Sequence, residues 1–330
     1  MEVGLILVLL LILGAEFVNG WTDSPNAIAT VVGTRSLTPL QAVLMAAVLN
    51  LLGVLLSGTK VAATIGKGIV DASVIDLTTV AGAMISIIIW SSFAAHWGIP
   101  TSESHALVAG LTGAGLATAG PGALLWEGWK KVLLGLFFSS VIGTLGGVIL
   151  MVAVYWIFRR FSPVQLRGKF RVLQIISSGF MAYAHGSNDG QKFMGVFTLA
   201  LFISGALPSF VIPLWVILIC AMVMALGTLT GGWRIIQTMG MKLTRLETHQ
   251  GFSAELAAAA TIEAATRFGI PVSTTHTITS AIVGVGATRG GSAVNWGMTQ
   301  RIVMAWILTF PICGLISWAV VLGLRAIALP

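Results

Sequence analysis

The sequence predicts an all-α polytopic membrane protein built as two inverted repeats, each with an interrupted transmembrane helix and a re-entrant helical hairpin. Three observations carry that expectation. First, the 330 residues are 56% hydrophobic and only 9% charged, whereas a soluble chain is about a quarter charged. Second, mean hydropathy is +0.96, and apolar runs of the roughly 18 residues or more that a bilayer requires fill most of the chain. Third, the second half repeats the polar motifs of the first in the same order. The composition excludes a soluble enzyme, a disordered chain and a disulfide scaffold. A net charge of +7 does not point to nucleic acid, because the basic residues lie in short loops between apolar runs, which is what topology requires. Cys220 and Cys313 sit inside apolar runs without metal or disulfide spacing and read as core packing.

Ten apolar segments follow one another: 3–34, 38–57, 74–97, 102–118, 130–158, 172–204, 208–226, 251–268, 273–289 and 302–328. The first reads as a span rather than a cleaved leader, since Glu2 stands where a basic region belongs. Segments 3–34 and 172–204 are interrupted by polar residues. The third and fourth are joined only by Trp97-Gly98-Ile99-Pro100-Thr101-Ser102, and the eighth and ninth by Phe268-Gly269-Ile270-Pro271-Val272-Ser273. Neither connector is long enough to rest in water. Both read as hairpin tips that stop inside the protein, where irregular backbone is tolerated if buried or lining a wet cavity.

Hairpins return to the side they enter, so the chain is expected to cross six times with both termini on one side. Eleven Lys and Arg then share the side of Arg35 and the loops 159–171, 227–250 and 287–301, against Lys60, Lys67, Lys130, Lys131 and Arg325 opposite. The positive-inside rule puts the first set in the cytoplasm and both termini on the extracytoplasmic side of the plasma (cytoplasmic or inner) membrane. The expected organisation is one membrane domain, 1–330, made of an N-terminal repeat 1–158, a basic cytoplasmic linker 159–171 and a C-terminal inverted repeat 172–330.

The duplication is explicit in the residues. Residues 98–115 (GIPTSESHALVAGLTGAG) and 269–286 (GIPVSTTHTITSAIVGVG) agree at seven of eighteen positions at an offset of 171. Asn19-Gly20-Trp21-Thr22-Asp23 aligns with His185-Gly186-Ser187-Asn188-Asp189 at an offset of 166, and Gly58-Thr59 matches Gly227-Thr228. Three crossings separate Asp23 from Asp189, so the second half is upside down. Inverted repeats with broken helices are the architecture of secondary transporters, with the site near mid-membrane at the repeat interface.

Four groups of residues carry chemistry. In the first interruption, Pro25 disfavours helix at Ser24 and Gly20 loosens the backbone. Freed carbonyls with Asn19, Asp23 and Asn26 offer the oxygen ligands a hard cation takes, and ionisable groups in membrane segments are costly and usually functional. Glu16, nearer the segment end, reads equally as structural. In the second interruption Asp189 mirrors Asp23, and Lys192 falls at the position of Asn26. Its ammonium would replace a bound cation, pair with Asp189 or contact an anion directly; snorkelling to an interface is the plain alternative. At the tips, Pro100 with Thr101, Ser102 and Ser104, and Pro271 with Ser273, Thr274 and Thr275, place hydroxyls at helix N-termini. Such ends bind oxyanions, although Ser and Thr there also serve as ordinary caps. His105 and His276 are duplicated and suit either a proton relay or structural hydrogen bonding. On the eighth segment Glu255 is the better cation or proton candidate and Glu263 the lesser, with Arg267 as an ion-pair partner or gate.

Taken together these motifs resemble the inorganic phosphate transporter (PiT) family, in its bacterial low-affinity phosphate permease branch. The resemblance rests on Val18 to Ala27, Ala184 to Lys192, the two Gly-Ile-Pro-x-Ser-x-x-His tips, and Gly227-Thr228 through Gly251-Phe252-Ser253-Ala254-Glu255-Leu256, and it spans nearly the whole chain. The family's Gly-Ala-Asn-Asp-x-x-Asn signature departs at Thr22 and at Lys192. The resemblance implies phosphate uptake coupled to a cation gradient, inverted repeats, two hairpins and a homodimer. The Gly-Gln-Lys variant implies proton coupling and metal–phosphate complexes, and other members imply sodium.

The expected function is therefore a symporter, not an enzyme, importing inorganic phosphate, free or metal-complexed, with H+ or Na+ by alternating access. Thr101, Ser102, Ser104, Asn188, Ser273, Thr274 and Thr275 are expected at the anion, and Asp23, Asn26, Asp189 and Glu255 at the coupling cation. His105, His276 and Lys192 stand as proton relay or charge partners. No enzymatic cofactor and no structural metal site are expected. A sulfate or other oxyanion permease is the alternative within the fold; an intramembrane hydrolase and an oxyanion channel are alternatives outside it.

Overall fold

The computed structural model describes residues 3–328, and in them the helical elements occur twice in the same order. The first series is α1 (Val3–Asp23) and α2 (Pro25–Gly33), α3 (Pro39–Leu56), α4 (Lys60–Gly68), α5 (Leu77–His96), α6 (Glu103–Ala119) and α7 (Trp126–Phe158). The second is α8 (Pro163–Ile203), α9 (Leu214–Thr230), α10 (Trp233–Gln237) with a π turn at Thr238–Lys242, α11 (Thr248–Arg267), α12 (Thr274–Ala287) and α13 (Trp296–Ala328). Even the small features recur. A 3-10 turn precedes each 33-residue closing helix, at Gly120–Ala123 and Gly291–Ala293. One isolated antiparallel bridge ties each series, Val70 to Leu124 and Thr244 to Val294.

Helices apolar around most of their circumference belong inside a membrane or a large core. By length and apolarity, Val3–Gly33, Pro39–Leu56, Leu77–His96, Trp126–Phe158 and Trp296–Ile327 each suffice to cross a bilayer, as does Leu214–Thr230 with Trp233–Lys242, bent by 62°. The packing exchanges the two halves. α6 lies along α13 and α12 along α7, while α1 lies along α9 and α3 along α8.

The duplicated Gly-Ile-Pro-x-Ser-x-x-His sequence has a complete local explanation. Gly98 and Gly269 adopt φ of 67° and 69°, a left-handed conformation that glycine takes without strain. Ile99 N–H then donates to Ala94 O at 3.0 Å and Gly98 N–H to Ala95 O at 3.0 Å. Ile270 N–H to Ala265 O and Gly269 N–H to Thr266 O, both 2.9 Å, repeat the pattern. This is the Schellman termination, with proline next to prevent continuation. Three residues on, Ser102 and Ser273 cap α6 and α12 by accepting from His105 N–H and His276 N–H at 3.3 and 3.1 Å. The apex side chains Trp97 and Phe268 are exposed (65% and 81%), so the turn itself reaches the protein surface. The extended stretch behind it returns into the interior.

One expectation is corrected. The interrupted helices are nearly continuous. Ser24 keeps helical dihedrals, φ −54° and ψ −33°, so Pro25 only deletes one N–H donor, and α8 runs unbroken for 41 residues through Gly186 and Gly190. The glycines serve close approach rather than unwinding. A Cβ on Gly20 would lie 2.3 Å from Met224 O, and one on Gly186 2.2 Å from Asn50 O. The polar side chains find partners on the tips, so the helices have no need to open. The basic stretch 159–171 is a short turn followed by helix, with Ser162 forming a capping box for α8 with Gln165.

Candidate functional site

The tips meet. Ser104 Oγ donates to Val272 O across the two connectors at 2.9 Å, and the rings of His105 and His276 lie edge to face with centroids 4.3 Å apart. Thr101, Ser102, Ser104, His105, Ser273, Thr274, Thr275 and His276 are all buried. Around them converge α2 and the middle of α8, each reaching the other half's tip. Asn26 Nδ2 donates to Thr275 Oγ1 at 3.0 Å and to Thr274 Oγ1 at 3.4 Å, and Lys192 Nζ donates to Ser104 Oγ. At the offsets of 166 and 171, residue 26 answers to 192 and residue 275 to 104. The two contacts are therefore one contact made twice.

Buried carboxylates close the cluster. Asp23 Oδ1 accepts from Thr275 Oγ1 at 3.1 Å, and Asp189 Oδ2 accepts from Thr274 Oγ1 at 2.8 Å. Asp189 Oδ1 pairs with Lys192 Nζ, which also donates to Val272 O at 2.9 Å. His185 lies between the halves, with Nε2 3.4 Å from Asp189 Oδ2 and Nδ1 3.1 Å from Asn50 Oδ1. Asp23, His185 and Asp189 each present one ligand atom, all within 4.8 Å of one another. That set of two carboxylates and an imidazole suits a cation.

Not every expected residue joins the cluster in the expected way. Asn188 turns to the connector: Nδ2 donates to Thr266 Oγ1 (2.8 Å) and Ile270 O (3.3 Å), and Oδ1 accepts from Val272 N–H (3.3 Å). It braces the tip with all of these bonds. Glu255 forms a separate buried site, accepting from Thr30 Oγ1 on α2 and Ser177 Oγ on α8. Ser102 and Ser273 act as caps. His276 stacks on Trp306 with centroids 3.6 Å apart, and neither ring nitrogen of His105 has a partner among the described residues. Glu263 pairs with Arg267 at 3.0 Å and accepts from Ser187 at 3.1 Å.

Sequence reasoning passed over Glu103. It is buried at the start of α6, accepts from Thr22 Oγ1 at 2.9 Å, and leaves Oε2 with no partner among the described residues. The signal was available, because Glu103 stands opposite Thr274 in the duplication. Glu16 is also fully buried, accepting from Asn19 Nδ2 at 3.3 Å while its Oε1 has no partner among the described residues. Four carboxylates thus surround this region against the one ammonium of Lys192. Buried charge of one sign calls for counter-ions or protons.

A polytopic helical protein whose polar residues gather in its middle, on helix starts held by opposite halves of the chain, has the build of a membrane transporter. Sequence and structure comparisons fix the class. Residues 19–317 match the Phosphate transporter family, and the chain belongs to that family. It is 46% identical over 316 residues to a probable low-affinity inorganic phosphate transporter of Rhizobium meliloti (strain 1021), covering 96% of this chain and 94% of the relative. It is 41% identical over 318 residues to the protein of the same description from Bacillus subtilis (strain 168), covering 94% and 95%. Its fold matches the solved structure titled the sodium-dependent phosphate transporter with a TM-score of 0.89 at 26% identity, covering 99% of this chain and all of that one.

Proposed function

We propose that this protein is a secondary active symporter that imports inorganic phosphate, free or as a metal complex, with H+ or Na+ as the coupling ion. One observation carries the reading. The hydroxyls of Thr274 and Thr275 are donated to Asp189 and Asp23, so the anion's donors and the cation's ligands are the same hydrogen-bonded pairs. A cation on the carboxylates takes over their lone pairs and releases the hydroxyls. Released, they join the Ser104 hydroxyl and the free N–H groups at the starts of α6 and α12 in facing a tetrahedral oxyanion, for which such ends are suited. Loading the anion without the cation would leave Asp23 uncompensated in low dielectric, since only Asp189 has the Lys192 ammonium beside it. Coupling then follows from hydrogen-bond exchange.

In this reading Thr101, Ser104, Thr274 and Thr275 face phosphate, Asp23 and Asn26 hold the cation with help from the Asp189 oxygen that Lys192 leaves free, and Asn188 positions the second tip. Glu255 serves as a second protonation or cation site one turn along α2 from Asn26. The two halves, 1–158 and 172–330, work as inverted repeats in alternating access, with both termini extracytoplasmic in the plasma membrane. The broad apolar faces of the long closing helices α7 and α13 suit lipid or a second copy of the chain. The Asp23–His185–Asp189 cluster supports a divalent ion accompanying phosphate as cargo.

Radiolabelled phosphate uptake into proteoliposomes under an imposed proton or sodium gradient tests the proposal. Uphill accumulation is expected, and excess sulfate is expected to compete poorly. Correctly inserted protein that gives no uptake above empty vesicles would end the proposal, and flux that never exceeds equilibrium would mark a channel instead.

A further inference from the structure

The halves differ where Asn26 answers to Lys192. Asn26 spends its amide hydrogens on Thr274 and Thr275 and leaves Oδ1 buried without a partner among the described residues. That oxygen is a vacant acceptor of the kind a cation uses. Lys192 presents the opposite chemistry at the matching place. Its Nζ donates to the Asp189 carboxylate, the Ser104 hydroxyl and the Val272 carbonyl. An ammonium has three hydrogens and no acceptor, and here all three are engaged by oxygen. Carboxylate, hydroxyl and backbone carbonyl make up the ligand set of a hard cation. They come from three elements: α8, the first tip and the second tip.

Two other roles for this lysine fit the geometry less well. Direct contact with an anion would require Nζ to give up one of these oxygens. An interfacial, snorkelling position is inconsistent with a side chain that is 1% exposed. Resting on the reading of the chain as a cation-coupled phosphate symporter, we infer that Lys192 permanently occupies the cation position of the second half. The exchangeable coupling cation then binds only on the Asn26 side, and at most one per cycle binds at the mirrored pair of positions.

The test is to give the second half the residue of the first. Lys192→Asn and Lys192→Gln are purified beside the wild type. Phosphate uptake is measured in sodium and in choline medium of equal ionic strength, and unfolding in detergent is titrated with each salt. In choline, Lys192→Asn is expected to transport at about a tenth of the wild-type rate or less, because Asp189 is left buried and uncompensated. Saturating sodium is expected to restore uptake and to raise the variant's unfolding midpoint more than the wild type's. Wild-type uptake is expected to depend on sodium to the first power at most. The inference is overturned by variant uptake in choline equal to wild type, by a loss that sodium does not repair, or by second-power sodium dependence in the wild type. If Lys192→Asn does not insert, Lys192→Gln and the wild-type sodium order decide. If wild-type protein transports no phosphate, the symporter reading fails by itself, and sodium-titrated unfolding of wild type against variant still decides what the lysine replaces.

Discussion

Replacing Asp189 with asparagine keeps the shape of the side chain and removes its charge. Asp189 is 1% exposed and has three partners: the Lys192 ammonium, the Thr274 hydroxyl at 2.8 Å and His185 Nε2 at 3.4 Å. In Asp189→Asn the amide still accepts from Thr274, but Lys192 is left with the neutral oxygens of Ser104 and Val272. Breaking one side of a buried ion pair costs about 3–5 kcal/mol, a large share of the roughly 5–15 kcal/mol that holds a domain folded. Removing both charges in Asp189→Asn/Lys192→Met leaves no orphan, and buried pairs exchanged for apolar groups are often close to neutral. The double variant is therefore expected to recover about 2–3 kcal/mol relative to the sum of the singles, within the range of coupling energies between contacting residues. Chaotrope unfolding of detergent-purified protein, followed by tryptophan fluorescence, measures this directly. Phosphate uptake is expected to stay impaired in both the single and the double variant, separating stability from transport. Additive costs would refute the pairing, and wild-type gradient-driven uptake by Asp189→Asn would refute the role in coupling.

The remaining expectations concern other parts of the molecule. Gly186→Ala places a Cβ 2.2 Å from Asn50 O, so a loss of about 1–3 kcal/mol is expected in the same unfolding assay, and an unchanged midpoint would show that α3 and α8 separate easily. Asn188→Ala frees the second tip's connector from its hydrogen bonds to Thr266, Ile270 and Val272; a roughly tenfold rise in the phosphate KM is expected, since about 1–3 kcal/mol is lost when buried groups go unsatisfied. A changed maximal rate with unchanged KM would argue for a direct role in the chemistry of transport instead. At the start of α5, burial raises the pKa of Asp76, but its bonds to Thr79 and to Arg325 outweigh this and hold it below the ordinary carboxylate value. Its contribution is thus present at neutral pH and lost as pH falls through the depressed folded-state value. Asp76→Ala should accordingly cost about 1 kcal/mol at pH 7 as a lost cap, and its stability curve should merge with the wild type's in acid; a constant gap down to low pH would contradict this.

Much of this architecture is written in local chemistry. The tip motif is legible because each of its residues has a job that sequence spacing defines: Gly98 for the left-handed turn, Pro100 to stop the helix, Ser102 to cap the next one. That the tips converge follows from the duplication. What sequence could not settle was which way the polar side chains face. Asn188 looks like a donor to an anion until the connector backbone is seen to take its amide. Gly186 reads from sequence as part of a break in a helix, and only the Asn50 carbonyl shows that it is a gap for a neighbour. Glu103 hid among hydroxyl residues: its place opposite Thr274 in the duplication marks it, but its importance comes from burial beside Thr22.

The crossings between helices reach beyond stability. α6 meets α13 at Gly113, where a Cβ would lie 2.0 Å from Gly314 O, and α7 meets α12 at Gly143, 2.5 Å from Thr277 O. Together with the contacts at Gly20 and Gly186, these seams fasten helices of one half to helices of the other, backbone against backbone. Neither half can slide as a separate block without prying such seams apart. Any rigid unit that shifts during turnover must then be a mosaic of both halves. Under the alternating access proposed above, the plane of parting would cut through the duplication, and each half would contribute to the moving body and to the stationary one.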